Sequence, residues 1–188
     1  MNRREAITRV AWLMGGAVIG ANLFLEGCTR AADPSVEVLF EPKTIDFLGD
    51  VADAILPPTS SPGAKEAGVG SFIPVMVRDC YTKQDQDAFL KVLTEVDAAS
   101  QGLFNKTFQS LTAEERLQVV NQLDKEAKAY QQDKEAEAPN HYFHLFKQPT
   151  LLGFFSSELG ATKALRYVQI PGRYDGDIPY QKGDKAWA

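Results

Sequence analysis

Residues 112–130 read TAEERLQVVNQLDKEAKAY, and this stretch commits the chain to helices. Thr112 and Glu115 stand three apart, the spacing at which a threonine hydroxyl and a glutamate carboxylate each satisfy a backbone donor at a helix start. Behind them, Leu117, Val120, Leu123, Ala127 and Tyr130 recur three to four residues apart, so they are expected to form the inner face of one helix. The remaining positions are mostly charged or amide side chains that solvent can take.

The same period extends in both directions. Upstream, Asp85 to Ser100 carries Phe89, Val92, Leu93 and Val96 in helical register. Before it, Phe72, Ile73, Val75, Met76 and Val77 form a dense apolar run reaching Tyr81, which reads as a buried helix. Further back, Ile45, Leu48, Val51, Ala52 and Ile55 recur until Pro57-Pro58 stops them. Downstream, Gln131 to Asn140 is polar and reads as a mobile connection. Tyr142 to Leu165 returns to aromatic and aliphatic residues, and Pro149, Gly153 and Gly160 predict its division into two or more short helices. From Arg166 onward, Pro171-Gly172 and Pro179 impose an extended, turn-rich course. There is almost no strand pattern and no internal repeat. The fold class that follows is all-α: over residues 44–188, an irregular single-domain helical bundle with an extended, Pro/Gly-rich C-terminal tail.

Ahead of this domain, Arg3 and Arg4 precede an apolar stretch from Val10 to Leu25 that Gly15, Gly16, Gly20 and Asn22 dilute. A membrane-spanning helix needs roughly 20 strongly apolar residues, so residues 1–27 read as an export signal instead. Paired arginines before a weakly hydrophobic run resemble the twin-arginine signal of bacteria, whose cargo folds before transport; an ordinary secretory signal with two adjacent arginines is the other reading. Leu25-Glu26-Gly27-Cys28 is similar to a lipoprotein cleavage box, with Glu26 where a small or apolar residue is usual. Acylation of Cys28 would hold the protein at a membrane surface without a spanning helix. Residues 28–43 would serve as a tether, and the expected location is the periplasmic side of the bacterial cell envelope.

Composition narrows the function classes. Without residues 1–27, which hold three arginines and two acidic side chains, the formal charge moves from −5 to −6. That balance argues against nucleic acid as a partner. About 160 residues remain, enough for one domain with a real core. Cys80 is the one cysteine besides Cys28, so there is no intrachain disulfide framework and packing must supply stability.

Motifs for chemistry are mostly missing. Covalent haem attachment needs Cys-x-x-Cys-His, which does not occur. Gly68-Val69-Gly70 lacks the third glycine and the preceding strand of a dinucleotide fingerprint, and reads as a helix stop followed by a turn. His141 and His144 could share a helix face as metal ligands, but their aromatic neighbours favour packing. Ser156-Ser157-Glu158 lacks the glycine elbow of a serine hydrolase and reads as local capping. Asp175-Gly176-Asp177 offers too few carboxylates for calcium and reads as a turn. Cys80, within an apolar run, reads as a buried, inert thiol. No catalytic, cofactor or metal residue is assigned in this chain.

Two stretches stand apart from this plain account. Ile55-Leu56-Pro57-Pro58-Thr59 is followed by Pro62-Gly63-Ala64-x-x-Ala67-Gly68-Val69, and Gly153-Phe154-Phe155-Ser156-Ser157-Glu158-x-Gly160 runs on to Tyr167 and Pro171-Gly172-x-Tyr174. Together they resemble the gluconate 2-dehydrogenase subunit 3 family, over a span from about Thr44 to Pro179. The resemblance implies an accessory, non-catalytic role beside a large FAD-dependent dehydrogenase of sugars or sugar acids, often with a separate cytochrome c subunit. FAD would then sit in the large subunit, and a twin-arginine signal here could carry that subunit across the membrane already folded. Pro62, Gly63, Gly153, Glu158, Gly160, Tyr167, Pro171, Gly172 and Tyr174 are the motif positions expected to meet the partner.

Arginine and tyrosine dominate interface hot spots, and Arg166, Tyr167, Arg173, Tyr174 and Tyr180 all lie on the tail. Either the tail meets another chain or it wraps its own core. Two other functions remain open: an independent helical envelope lipoprotein, and an enzyme using His141 and His144.

Overall fold

Thr112 Oγ1 accepts the Glu115 N–H at 3.3 Å and the Glu115 carboxylate accepts the Thr112 N–H at 2.8 Å, so the capping box forms as its spacing predicts. It opens one of six α-helices in the computed structural model, which describes residues 35–173 and 176–188. In chain order these are α1 (Pro42–Ile55), α2 (Val69–Cys80), α3 (Lys83–Phe89), α4 (Val92–Phe104), α5 (Ala113–Asp133) and α6 (Tyr142–Ser156). Short 3-10 turns at Glu37–Phe40 and Phe108–Ser110 and a π turn at Gly160–Ala164 complete them, and no strand forms among the described residues. The expectations for Arg3, Arg4, Cys28 and Tyr174, and for the signal and residues 28–34 of the tether, lie outside the described residues.

The arrangement turns on α6. Its sequence, YFHLFKQPTLLGFFS, is apolar on nearly every side, which suits a helix surrounded by others. It packs against each of the other five helices and buries Phe143, Leu145, Phe146, Pro149, Thr150, Gly153 and Phe154. Phe146 lies between Phe89 and Phe143, with ring centroids 6.1 and 6.4 Å away, so aromatic contacts fill the centre.

The sequence predicts breaks at Pro149 and Gly153, yet α6 runs through both. Proline has no N–H, so the carbonyl four residues earlier loses its helical donor. That carbonyl belongs to Leu145, and the Tyr81 hydroxyl donates to it at 2.6 Å. A contact 64 positions away in sequence replaces the missing bond. Gly153 serves packing: a Cβ there would meet the Phe72 ring at 2.5 Å.

Other expectations shift in detail. The run from Asp85 to Ser100 divides into α3 and α4 at Leu90-Lys91. The division turns α3 toward the end of α2, where the Gln86 amide donates to the carbonyls of Val77 and Arg78 at 3.0 and 3.1 Å and satisfies carbonyls that a helix end leaves open. On α5 the buried stripe is Val119, Val120, Leu123 and Ala127, while Leu117 and Tyr130 are exposed. Residues 134–141 are fastened: Tyr130 donates to Pro139 O at 3.0 Å, Lys134 to Ala138 O at 2.9 Å, and Gln131 bonds both Asn140 and His141.

At the other end, Gly68 begins a helix. It is the N-cap of α2 with φ 75°, a left-handed conformation that glycine adopts without strain. Gly70 then lets α2 close on α1, since a Cβ there would lie 2.5 Å from Ile45 O. One face of α2 is buried, at Val69, Gly70, Ile73, Pro74 and Val77, and Val75 faces out.

Candidate functional site

The residues that suggested chemistry are engaged in the fold. His141 caps α6, its Nδ1 accepting the Phe143 N–H at 3.2 Å. Its ring lies against Tyr130 and Tyr142, 5.5 and 4.3 Å between centroids. Burial pushes its pKa down, so the cap accepts as a neutral imidazole. His144 pairs through Nε2 with the Gln148 amide at 2.9 Å, one turn along the same helix. Among the described residues no group of three His, Cys, Asp or Glu side chains gathers to hold a metal.

Ser157 caps as its sequence context suggests, donating to Phe154 O at 2.7 Å and accepting the Gly160 N–H at 2.9 Å. Cys80 departs from expectation, because it is exposed. It is the last residue of α2, one turn beyond Val77, where the buried face of the helix ends. Gly176 and Asp177 lie in a turn, and Asp175 is outside the described residues.

The first motif stretch, residues 56–68, is held by a charged cluster on α1. Asp50 is nearly buried and accepts Lys65 Nζ at 2.7 Å and Gln109 Nε2 at 3.1 Å, with Arg116 at 3.6 Å. Burial works against its ionisation. The hydrogen bonds from Lys65 and Gln109 and the charges of Lys65 and Arg116 outweigh that, holding the carboxyl below its ordinary range. Lys65 also meets Asp46 at 2.8 Å, and the hydrogen bonds to Asp46 and Asp50 push its pKa up. One turn further along α1, Asp53 accepts the Lys65 backbone N–H at 3.1 Å. Gly63 is required there, since a Cβ would stand 2.2 Å from the Asp53 carboxylate and 2.9 Å from Pro58. Pro62 is half-buried beside it. Pro57 and Pro58 are exposed and line a groove of about 540 Å³ together with Leu111, Arg116 and Leu117.

The second motif stretch divides in the same way. Gly153 and Gly160 are buried, and a Cβ on Gly160 would lie 1.8 Å from Phe154 O. These glycines, like Gly63, permit close approaches within the chain itself. Glu158, Tyr167, Pro171 and Gly172 are exposed.

The tail does not wrap a core. Tyr167, Val168, Ile170, Ile178, Tyr180 and Trp187 all expose large parts of their side chains. Its base is closed on itself: Arg166 N–H donates to Ala186 O at 2.8 Å, Ala188 N–H donates to Arg166 O at 3.2 Å, and the Arg166 guanidinium lies 4.8 Å from the Trp187 ring centre. Arg166 also approaches Asp184 at 3.9 Å, and Lys185 reaches the Lys163 carbonyl.

Sequence reasoning named Tyr167 and Tyr180 and passed over Val168, Ile170, Ile178 and Trp187. Their signal was apolar side chains in a Pro/Gly-rich segment with no period, which leaves them no face on which to be buried together. It also passed over the pairing of Asp50 with Lys65, which no local spacing encodes.

No curated protein and no solved structure matches the chain. The family model described as gluconate 2-dehydrogenase subunit 3 matches residues 42–172. The matched span begins on the first residue of α1, includes all six helices, the first motif stretch and the second as far as Gly172, and stops within the tail. The chain belongs to the gluconate 2-dehydrogenase subunit 3 family, an accessory-subunit family of dehydrogenase complexes.

Proposed function

We propose that this chain is the non-catalytic small subunit of a bacterial envelope dehydrogenase, binding and stabilising a large FAD-dependent, GMC-type subunit that oxidises a sugar or sugar acid. The observation that carries this reading is a division of labour among the side chains of a subunit-family member. His141 caps a helix, His144 is hydrogen-bonded to Gln148 and the buried Asp50 is ion-paired, while the large apolar side chains of the tail are open to another protein. A cytochrome c subunit would complete the electron path. FAD belongs to the large subunit, whose oxidation chemistry needs no group from this chain.

The same reading gives the N-terminus its purpose. Arg3 and Arg4 would direct the assembled pair through the twin-arginine route, and lipid on Cys28 would hold it at the periplasmic face. Purification of the tagged chain from detergent-solubilised membranes tests the reading. A larger polypeptide with flavin absorbance and dye-linked sugar or sugar-acid dehydrogenase activity is expected to accompany it, and the isolated chain is expected to be colourless. Flavin bound by the isolated chain, or no flavoprotein in the purified material, would overturn it.

A further inference from the structure

We infer that the two arms of the tail, residues 166–173 and 176–188, form the docking surface for the flavin-bearing dehydrogenase subunit; this rests on the function proposed above. The arms share one base, where Arg166 pairs in parallel with Trp187 and the guanidinium covers the indole ring. That pairing brings the end of the second arm beside the start of the first, so Trp187 and Tyr167 belong to one region. A turn at Gln181–Asp184, with Gln181 N–H on the Asp184 carboxylate at 2.9 Å, shapes the return. The base of the arms and the return turn are thus fixed without burying the apolar side chains, and a surface with fixed points before binding loses less entropy when it binds.

The exposed area is of interface size. Ile170 is 81% and Tyr180 78% exposed, with Tyr167, Val168, Ile178 and Trp187 near half. A whole aromatic side chain carries about 150–250 Å², so three aromatic and three aliphatic residues leave several hundred Å² open, approaching the ~800 Å² each partner gives a standard interface. Singly scattered apolar residues are ordinary on a surface, but six large ones within 23 residues are a candidate interaction site.

Charge points to a different chain as the occupant. Residues 35–165 carry 12 basic and 19 acidic side chains, whereas residues 166–188 carry four and three. The tail is the near-neutral part of an acidic protein. Pairing two copies through their tails would bring two acidic bodies together, whereas the family to which the chain belongs is one of subunits that assemble with a different chain, the dehydrogenase. The family match ends at Gly172, so Tyr167, Val168 and Ile170 fall inside it and Ile178, Tyr180 and Trp187 beyond it. Both halves are therefore worth testing separately.

The test uses the full chain, tagged and purified from detergent-solubilised source membranes, with retained flavin and dehydrogenase activity as the readout. Ile170→Ser on the first arm and Tyr180→Ser on the second are each expected to lower retained flavin roughly tenfold, the scale of a hot-spot loss. Their circular dichroism and Tm should match wild type, because neither side chain is buried. Leu103→Ser and Leu117→Ser, exposed positions on the helical body, should retain flavin as wild type does. Undiminished flavin on both tail variants, with flavin on wild type, would overturn the docking surface and leave the proposed function standing. Loss on Leu117→Ser alone would move the surface to the groove beside Pro57. A dimer of the isolated chain that the tail variants dissolve would make a second copy the occupant and overturn the inference. Absence of flavin on wild type would overturn both.

Discussion

The helix α6 and the tail that follows it are built from similar residues and meet opposite fates. α6 carries Tyr, Phe, Leu and Pro and packs against five helices, leaving Leu152 and Phe155 exposed at its end; the tail carries Tyr, Ile, Val, Trp and Pro and, among its described residues, buries none of them. Hydrophobicity therefore does not decide burial alone. Period does: an apolar helix offers neighbours a continuous surface on every side, while a segment broken by Pro171, Gly172 and Pro179 cannot align its side chains on one face. What α6 receives from its own chain, the tail must receive from another or go without.

The comparison breaks first where α6 is emptied. Phe146→Ala removes a fully buried ring from the central aromatic group, and about 3–5 kcal/mol of stability should be lost. Urea unfolding checks it, and a loss under 1 kcal/mol would show that the centre lies elsewhere.

Next in size is the bond that lets α6 pass its proline. Tyr81→Phe leaves Leu145 O without its donor, at an expected cost of about 1–3 kcal/mol. Pro149→Ala returns a backbone N–H to that carbonyl, so the double variant should lose clearly less than Tyr81→Phe alone. Additive effects in the double-mutant cycle would mean that the hydroxyl does not compensate for the proline.

At the start of α5, Thr112→Ala removes the side-chain half of the capping box, and about 1 kcal/mol should follow. Smallest are the tail changes: Ile170→Ser and Tyr180→Ser should move the stability of the isolated chain by no more than about 0.5 kcal/mol. A large loss there would erase the contrast between the two regions.

The pH profile sharpens the account of the body. Asp50 and Asp124 are held below the usual carboxylate range: burial opposes their ionisation, and their lysine partners prevail. Their contribution is present above the unfolded carboxylate pKa of about 4 and is lost as pH falls through the lower folded value. Burial pushes the hydroxyls of Tyr81 and Tyr142 up to about 12 from 10.0, so stability should fall again as pH rises from 10 toward 12. Tm measured across this range should show a plateau between the two losses, and a profile flat at both ends would count against these pairings and burials.

Much of the body is legible in local sequence. Thr112 and Glu115 announce their box because a cap spans only three residues, and the stripe on α1 holds at Leu48, Val51 and Ala52, with Ile45 and Ile55 half-buried at its ends. What is hidden depends on distant partners. Pro149 reads as a break until Tyr81 is seen to serve Leu145 O, and Gly153 reads as an interruption until the Phe72 ring is seen where a Cβ would be. The candidate surface was half legible: Tyr167 and Tyr180 stand out by residue type, while Ile170 and Trp187 needed the exposed course of the arms. Gly63, by contrast, belongs to the packing of its own loop against Asp53.

The position of α6 also sets an order of events. The helix that occupies the centre is the last of the six to leave the ribosome, since domains are made from the N-terminus at about 5–20 residues per second. Until it emerges, α1 to α5 have an unfilled middle, and the carbonyl that Tyr81 serves does not yet exist. The body is therefore expected to close only once synthesis has passed Ser156. Ribosome-stalled chains ending before α6 should be open to protease and bind chaperones, whereas chains carrying it should resist digestion, with the tail still outside as the part left to find its partner.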